Sequence, residues 1–356
     1  MKFAILSNTF SEYQNKEVEE ELTGTGKAVA KALEAFGHEV KFFDVNEKTF
    51  EKLRKSDIEM AFNVCERFRG NSFFEPHVAS MLELLGIPYT GSGPLALALC
   101  MNKARVKEIL MQNGIQTPKF QIFYSRNKKI NEDLKFPMII KPICMDNSIG
   151  ITNESIVENE DDLRKRIGYI LRVYDQPALV EEFVGGREFA VGVLGNKNPF
   201  ALPISEFVFS EATENPIYSY NAKWNKESDE FKNTVEVCPA QIPKYMEAKL
   251  KKVAFDVYKL LEVKDYGRID IRLDKDNVPY VLEMNPNPGI SADDTIPKVA
   301  QSLGLTYNEM IIEIVAKALE RYENIKSDIK SKLEEMKKIE VQNGIAPELI
   351  VSEKTE

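Results

Sequence analysis

The chain has 356 residues, 43% apolar and 29% charged, with a formal net charge of −9. That length calls for two or three compact units, and the acidic balance disfavours nucleic acid as a main partner. Four cysteines without metal-site spacing and only two histidines argue against a zinc centre, a disulfide framework and a histidine-based triad.

The opening MKFAILSNTF has neither a long apolar stretch nor a cleavage site, so cytoplasm is the expected compartment. No run nears the roughly 20 apolar residues of a membrane helix. Residues 2–7 suit a buried strand. Ala28, Val29, Ala32, Leu33 and Phe36 recur at helical spacing before Gly37, and 38–45 forms the next strand. This β-α-β order predicts a parallel sheet with a right-handed crossover. Further on come a strand at 60–64, a helix at 76–85 ended by Gly86, a short strand at 87–89 and a loop at 91–94. A first boundary falls near residue 100.

The second unit, 101–184, starts with a helix over 102–113. A strand at 136–142, a loop of small polar residues, a helix near 161–172 and a strand at 178–183 follow. The third, 185–321, has strands near 188–195 and 201–208, a polar stretch over 210–234 and a helix over 243–262. It then has a hairpin, 267–273 and 278–284, and a helix over 307–321. The tail, 322–356, places Ile325, Ile329, Leu333, Met336 and Ile339 at spacings of four and three. That predicts an amphipathic helix packed on the body or on a twin subunit, so a homodimer is one reading.

The hairpin carries the sharpest chemistry. Strand residues two apart share a face, so Arg268 and Asp270 point one way, as do Glu283 and Asn285. A turn that pairs Leu273 with Val278 sets Asp270 opposite Val281 and diagonal to Glu283, about 7–8 Å away. Two carboxylates and an amide oxygen, without His or Cys, suit Mg²⁺, with Mn²⁺ as an alternative. The other reading is a solvated hairpin. The apolar run Tyr280-Val281-Leu282 and the rigid Asn285-Pro286-Asn287-Pro288-Gly289 count against it.

Around this hairpin the sequence resembles ATP-grasp enzymes, specifically D-alanine–D-alanine ligases, over residues 1 to about 320. The segments that carry the resemblance are LLGIPYTGSGPLALALCMNK (84–103), PMIIKP (137–142), DNSIGI (146–151), LVEEFVGGREFAVGVLG (179–195), LPISEF (202–207), YNAKW (220–224), CPA (238–240), YGRIDIRLD (266–274) and YVLEMNPNPGIS (280–291). It implies an α/β (α+β ATP-grasp) fold, with an N-terminal Rossmann-like domain (1–100), two ATP-grasp subdomains (101–184 and 185–321) and a charged helical tail. It implies ATP and Mg²⁺, a small-molecule carboxylate and amine as substrates, and no membrane or nucleic-acid partner.

Carried over residue by residue, the resemblance makes Asp270, Glu283 and Asn285 metal ligands. Lys103 and Lys141 become phosphate-binding lysines, and Lys223 the loop lysine that reaches the γ-phosphate. The segment 146–150, with Asn147 and Ser148, resembles the loop over the phosphates. Glu181, Glu182, Phe183 and Val184 match the strand beside the adenine, with Leu282 also on the nucleotide. Glu188 matches a ribose carboxylate. Arg268 matches the arginine that stabilises the tetrahedral intermediate, with Lys223 and Ser148 the other catalytic groups. Trp224, Arg268, Gly289 and Asp294 fall among substrate-binding positions. Without the resemblance, Lys103 and Lys141 could be surface lysines, Glu181 and Glu182 exposed acids, and Glu188 a partner of Arg187. Cys144 reads as a packed thiol.

The substrate half departs from the family pattern. Where paired glycines and an ammonium-binding glutamate are expected, the chain reads Ser7-Asn8-Thr9-Phe10-Ser11-Glu12-Tyr13, leaving Glu12, Glu17 or Glu19 for that role. The His-Gly and Glu-Asp-Gly elements give way to Asn63-Val64-Cys65-Glu66-Arg67. A family serine becomes Asn147, the loop tyrosine becomes Trp224, and the serine that meets the second substrate's carboxylate becomes Asp294. Either Asp294 turns away or the second substrate presents a cationic or neutral group there. The expected activity is amide formation through an acyl phosphate. The alternatives are another amino-acid or peptide pair, or nucleotide binding without catalysis. No glycine fingerprint follows the first strand, which disfavours a Rossmann oxidoreductase.

Overall fold

A computed structural model describes residues 1–7, 16–66, 68, 72–211, 213 and 215–322, with side chains in the first helix described from residue 24 on. The tail positions Ile325 to Ile339 and the segment 8–15 lie outside the described residues. In the N-terminal part, β1 (Lys2–Ser7), β2 (Glu39–Asp44) and β3 (Met60–Asn63) form a parallel sheet in the order β2-β1-β3. The central strand KFAILS buries four consecutive residues because both its faces are covered. Phe3 and Ile5 join the core that holds Val29, Ala32 and Leu33 of α1 (Lys16–Ala35), while Ala4 and Leu6 join the opposite one. The helical spacing read from Ala28 to Phe36 thus marks the last part of a longer helix, stopped by Gly37 at φ 77°. After α2 (Thr49–Arg54) and α3 (Glu75–Leu85), the segment expected as a strand makes only the bridge Ala61–Tyr89. The loop at 91–94 runs straight into α4 (Pro94–Met101), with its proline in the first turn. Its sequence PLALALCM is apolar all round and carries no helical period to read.

In the central unit, α5 (Lys103–Gln112) is capped by Asn102, whose Oδ1 accepts from Arg105 N at 3.1 Å. Strands β4 (Phe120–Phe123), β5 (Met138–Pro142), β6 (Ile156–Val157) and β7 (Ala178–Glu182) pair antiparallel in the order β4-β7-β5-β6. One face is closed by α6 (Glu160–Val173) through Leu163, Ile167 and Ile170.

The last sheet holds β8 (Glu188–Leu194), β9 (Phe200–Ala201), β10 (Ser205–Phe209), β11 (Thr234–Val237), β12 (Tyr266–Leu273) and β13 (Pro279–Asn285). Its order is β11-β10-β8-β12-β13, with β9 also on β8, and every pair is antiparallel. The polar stretch 210–234 contains two short helices, α7 (Tyr220–Trp224) and α8 (Asp229–Lys232). On the sheet's outer face, α9 (Lys244–Leu260) lays Met246, Leu250, Ala254 and Val257 against Ile269, Ile271 and Val281. Each Leu, Ile, Val or Met among these contributes about 1.5–3 kcal/mol by leaving water.

Two closing helices, α10 (Thr295–Ser302) and α11 (Tyr307–Leu319), bring the chain back to its start. Ile311, Ile314 and Val315 share one core with Phe3, Val29 and Leu33. A polar clamp reinforces this return. Arg321 donates to Tyr89 O at 2.6 Å and to the buried Asp265 carboxylate at 2.8 Å, which also accepts from Gly91 N at 2.8 Å. Burial pushes the Asp265 carboxyl up to about 6. No described helix is long and apolar enough to cross a membrane.

Candidate active site

The cleft lies between the central sheet and the inner face of the last one, and the β12–β13 hairpin is its floor. The observed register differs from the expected one. Leu273 stands opposite Pro279 rather than Val278, and an irregularity after Asp270 leaves Leu282 unpaired. This bulge sets Asp270 directly opposite Glu283 instead of diagonal to it, and turns Leu282 and Glu283 both toward the cleft. Strict alternation cannot reveal a bulge, so the sequence places these residues on one face but not in their observed pairing.

Two like charges face each other here, and their environments push them apart. Burial raises the Asp270 carboxyl, opposed by Arg268 and reinforced by Glu283. Burial alone would raise Glu283 too, yet the Lys103 and Lys141 charges hold it well below the usual carboxylate range. Arg268 grips Asp270 with both arms, Nε at 2.8 Å and Nη2 at 2.9 Å, and Asn285 Nδ2 adds a bond at 3.0 Å. Lys103, 4% exposed, reaches Glu283 at 2.9 Å and Asp146 at 3.2 Å. Among the described residues no three His, Cys, Asp or Glu side chains gather as a metal cluster. Two facing carboxylates and an amide still suit a hard cation whose other positions come from phosphate oxygens and water.

Lys141 and Glu181 sit on neighbouring strands, β5 and β7, and pair at 2.9 Å. The other Glu181 oxygen meets Lys107 at 3.0 Å. Both lysines and the glutamate are buried, so none is an idle surface charge. Glu181 carries the two lysines, while Glu182 accepts from Lys135 N at 2.9 Å and lines the cleft with Phe183 and Val184. Lys107 was not singled out above, although its place four residues after Lys103 puts both on one helix face.

The loop over the cleft stores backbone strain. Asn147 and Ser148 both take left-handed conformations, φ 55° and 56°. Gly150 follows at φ 82°, and a Cβ there would come within 2.7 Å of Pro142. Contacts from every side hold this geometry. Asn147 Nδ2 donates to Glu66 at 3.1 Å, its Oδ1 accepts from Lys223 at 2.9 Å, and its carbonyl accepts from Trp224 Nε1 at 3.0 Å. Ser148 donates to Tyr218 O at 2.9 Å. The loop 146–150 and the 210–234 stretch therefore close the cleft together.

At the far end, Glu182, Phe183 and Val184 line the wall beside Leu282. Glu188 pairs with Arg272 at 3.1 Å, while Arg187 turns to Glu206 at 2.6 Å, so the Arg187–Glu188 pairing weighed above does not form. Arg272 also lies 5.0 Å over the Phe183 ring and donates to Val184 O at 2.9 Å. Its mid-strand position, two residues beyond Asp270 on the same face, was the available signal.

The end that holds the expected substrate-binding positions is built differently. A smaller cavity adjoins the cleft through Glu66, Asn147, Lys223 and Gly289, and Asp294 and Thr25 lie on its wall. Asp294 folds back into its own loop, its Oδ2 accepting from Ser291 N at 2.8 Å, and a Cβ on Gly289 would strike that carboxylate. Trp224, expected among the substrate-binding positions, lines neither space and donates to the Asn147 carbonyl instead. Glu12 and the side chains of Glu17 and Glu19 lie outside the described residues. Glu66 is the described acid that lines both spaces. Burial pushes the Cys144 thiol up to about 11, which fits a packed thiol.

Comparison with known proteins bears on this arrangement. Residues 109–316 match the family model described as the D-ala D-ala ligase C-terminus. The chain is 34% identical over 303 residues to an uncharacterized protein, y4sG, of Sinorhizobium fredii, covering 83% of this chain and 87% of that one. It is 32% identical over 297 residues to a D-alanine–D-alanine ligase of Bordetella petrii, covering 83% and 86%. Among solved structures, a Bacillus anthracis D-alanine–D-alanine ligase complexed with ATP superposes with a TM-score of 0.71 at 25% identity, over 92% of this chain and all of that one. A D-Ala:D-Ser ligase, VanG of Enterococcus faecalis, shares the fold, with a TM-score of 0.70 at 21% identity over 89% of this chain and 99% of that one. With its paired lysines, facing carboxylates and strained loop in one cleft, the chain belongs to the D-alanine–D-alanine ligase family, and its fold is that of the ATP-grasp enzymes.

Proposed function

We propose that the chain is an ATP-dependent carboxylate–amine ligase that forms an amide through an acyl phosphate. The observation that carries this reading is the cross-strand pair Asp270–Glu283 beside two buried lysines, Lys103 and Lys141. Asp270, Glu283 and Asn285 would hold Mg²⁺, which when bound would neutralise charge on the triphosphate. Lys141 and Lys223 offset charge on the phosphoryl group as it passes to the substrate carboxylate. Arg268 supplies positive charge for the oxyanion formed when the amine attacks. Burial opposes the charge on its guanidinium, but Asp270, Glu283 and Asp294 outweigh that and keep it charged. The Asn147–Ser148 loop and the 210–234 stretch keep water from the acyl phosphate.

Incubation with ATP, Mg²⁺ and D-alanine, followed by a wider amino-acid panel, should release ADP and yield an amide visible by mass spectrometry. No ADP with any substrate contradicts the reading. A second reading, a different acceptor amine, is supported by Asp294 in the smaller cavity. D-Alanine against its carboxamide separates them, since only the first brings a carboxylate to Asp294.

A further inference from the structure

Lys107 lies one helical turn beyond Lys103 on α5, yet its side chain is fully buried and lines neither cavity. Its ammonium meets three oxygens: Glu181 Oε1 at 3.0 Å, Thr117 Oγ1 at 2.9 Å and the Leu282 carbonyl at 3.2 Å. Each leads to a group of the site. The second Glu181 oxygen holds Lys141 at 2.9 Å. Leu282 is the bulged residue that brings Glu283 opposite Asp270. The Thr117 hydroxyl donates to Val281 O at 2.8 Å, and Val281 N donates to Gln116 O at 2.9 Å, so the segment before β4 flanks the edge of β13.

A buried ammonium is expensive unless paired, and a methionine would fill the same space without that penalty. What a methionine cannot do is draw a carboxylate of one subdomain and a strand carbonyl of the other to a single point. We propose that Lys107 is a positioning residue for metal–nucleotide binding: it aims Lys141 through Glu181 and holds the Leu282 bulge that sets Glu283 against Asp270. This rests on the ligase reading, because it presumes that Mg²⁺ and nucleotide occupy the cleft.

The test is titration calorimetry of ADP at a series of Mg²⁺ concentrations, on wild type, Lys107→Met, Lys107→Arg and Thr117→Val, with thermal melting as the fold control. Lys107→Met should weaken ADP binding by about 10- to 100-fold and raise the Mg²⁺ concentration for half-saturation. Lys107→Arg should recover part of both, and Thr117→Val should shift both in the same direction by less. A folded Lys107→Met chain with wild-type Kd and Mg²⁺ requirement overturns the proposal. So does one that only melts earlier. If Lys107→Met does not fold, Thr117→Val decides, and no shift there overturns the proposal. Wild type that binds no ADP with Mg²⁺ sinks the ligase reading and the proposal together, whereas a silent variant beside a binding wild type sinks the proposal alone.

Discussion

The two ends of the active-site cleft are made of different material. The end proposed to take the nucleotide is a wall of paired strands. Lys141, Glu181, Glu188, Asp270 and Arg272 are all buried strand residues, each locked by an ion pair to a neighbour. The end proposed to take the substrates is assembled from loops and helix ends: Glu66 after β3, Asn147 in the strained loop, Lys223 on α7, and Gly289 and Asp294 before α10. A wall of strands fixes charge in register and tolerates little change, because breaking one partner strands the other in low dielectric. A cavity of loops can change its contacts without disturbing a core. The first end is accordingly where the expected site residues come together, and the second is where the sequence departs from the expected pattern.

The sharpest way to break this contrast is to damage the wall. Lys141→Ala should lower kcat for ADP release by about 100- to 1000-fold, and Glu283→Gln should do the same, with unchanged circular dichroism. Losses below tenfold would place the chemistry elsewhere. Next in size is the bridge between the ends. Lys223→Ala removes the bond to Asn147 at 2.9 Å and the charge proposed to meet the phosphoryl group. It should cost about 100-fold in kcat while ADP affinity changes much less, and equal loss in both would make Lys223 a plain binding residue.

At the loop end, Asp294→Ser should leave the KM for ATP unchanged and alter discrimination between D-alanine and its carboxamide by about tenfold. A change in the ATP constant instead would merge the two ends into one site. The smallest effect concerns the clamp that ties the N-terminal loop to the last sheet. The Asp265 carboxyl is raised from 3.8 to about 6 by burial. The folded chain therefore binds a proton there that the unfolded chain has lost, so this group's contribution is full below about pH 4 and falls away as pH rises through about 6. Chemical denaturation should show that slope in wild type, and Asp265→Asn should flatten it; an unchanged slope assigns it to another group.

Much of the nucleotide end was legible because strand alternation states which residues share a face. Arg268 with Asp270, and Glu283 with Asn285, needed only the period of two. The unread parts involve a third element or a broken rule. The bulge at Leu282 violates alternation, α4 has no polar face to give a period, and the partners of Lys107 lie 10, 74 and 175 positions away in sequence. Asp294 was legible as a departure, but its turn toward Ser291 N depends on a loop path that composition does not specify. Glu66 stood in a segment without a recognisable motif, and only the approach of the Asn147 loop gives it a place.

On the proposed reading, Asp270 and Glu283 together hold a divalent cation against the nucleotide. Titration calorimetry of ATP into wild type and Glu283→Gln, each with and without Mg²⁺, tests it most directly. Wild type should bind at least tenfold more tightly with Mg²⁺, and Glu283→Gln should lose most of that gain while staying folded. Equal affinity with and without Mg²⁺ in wild type, or a full Mg²⁺ effect surviving in Glu283→Gln, would contradict it.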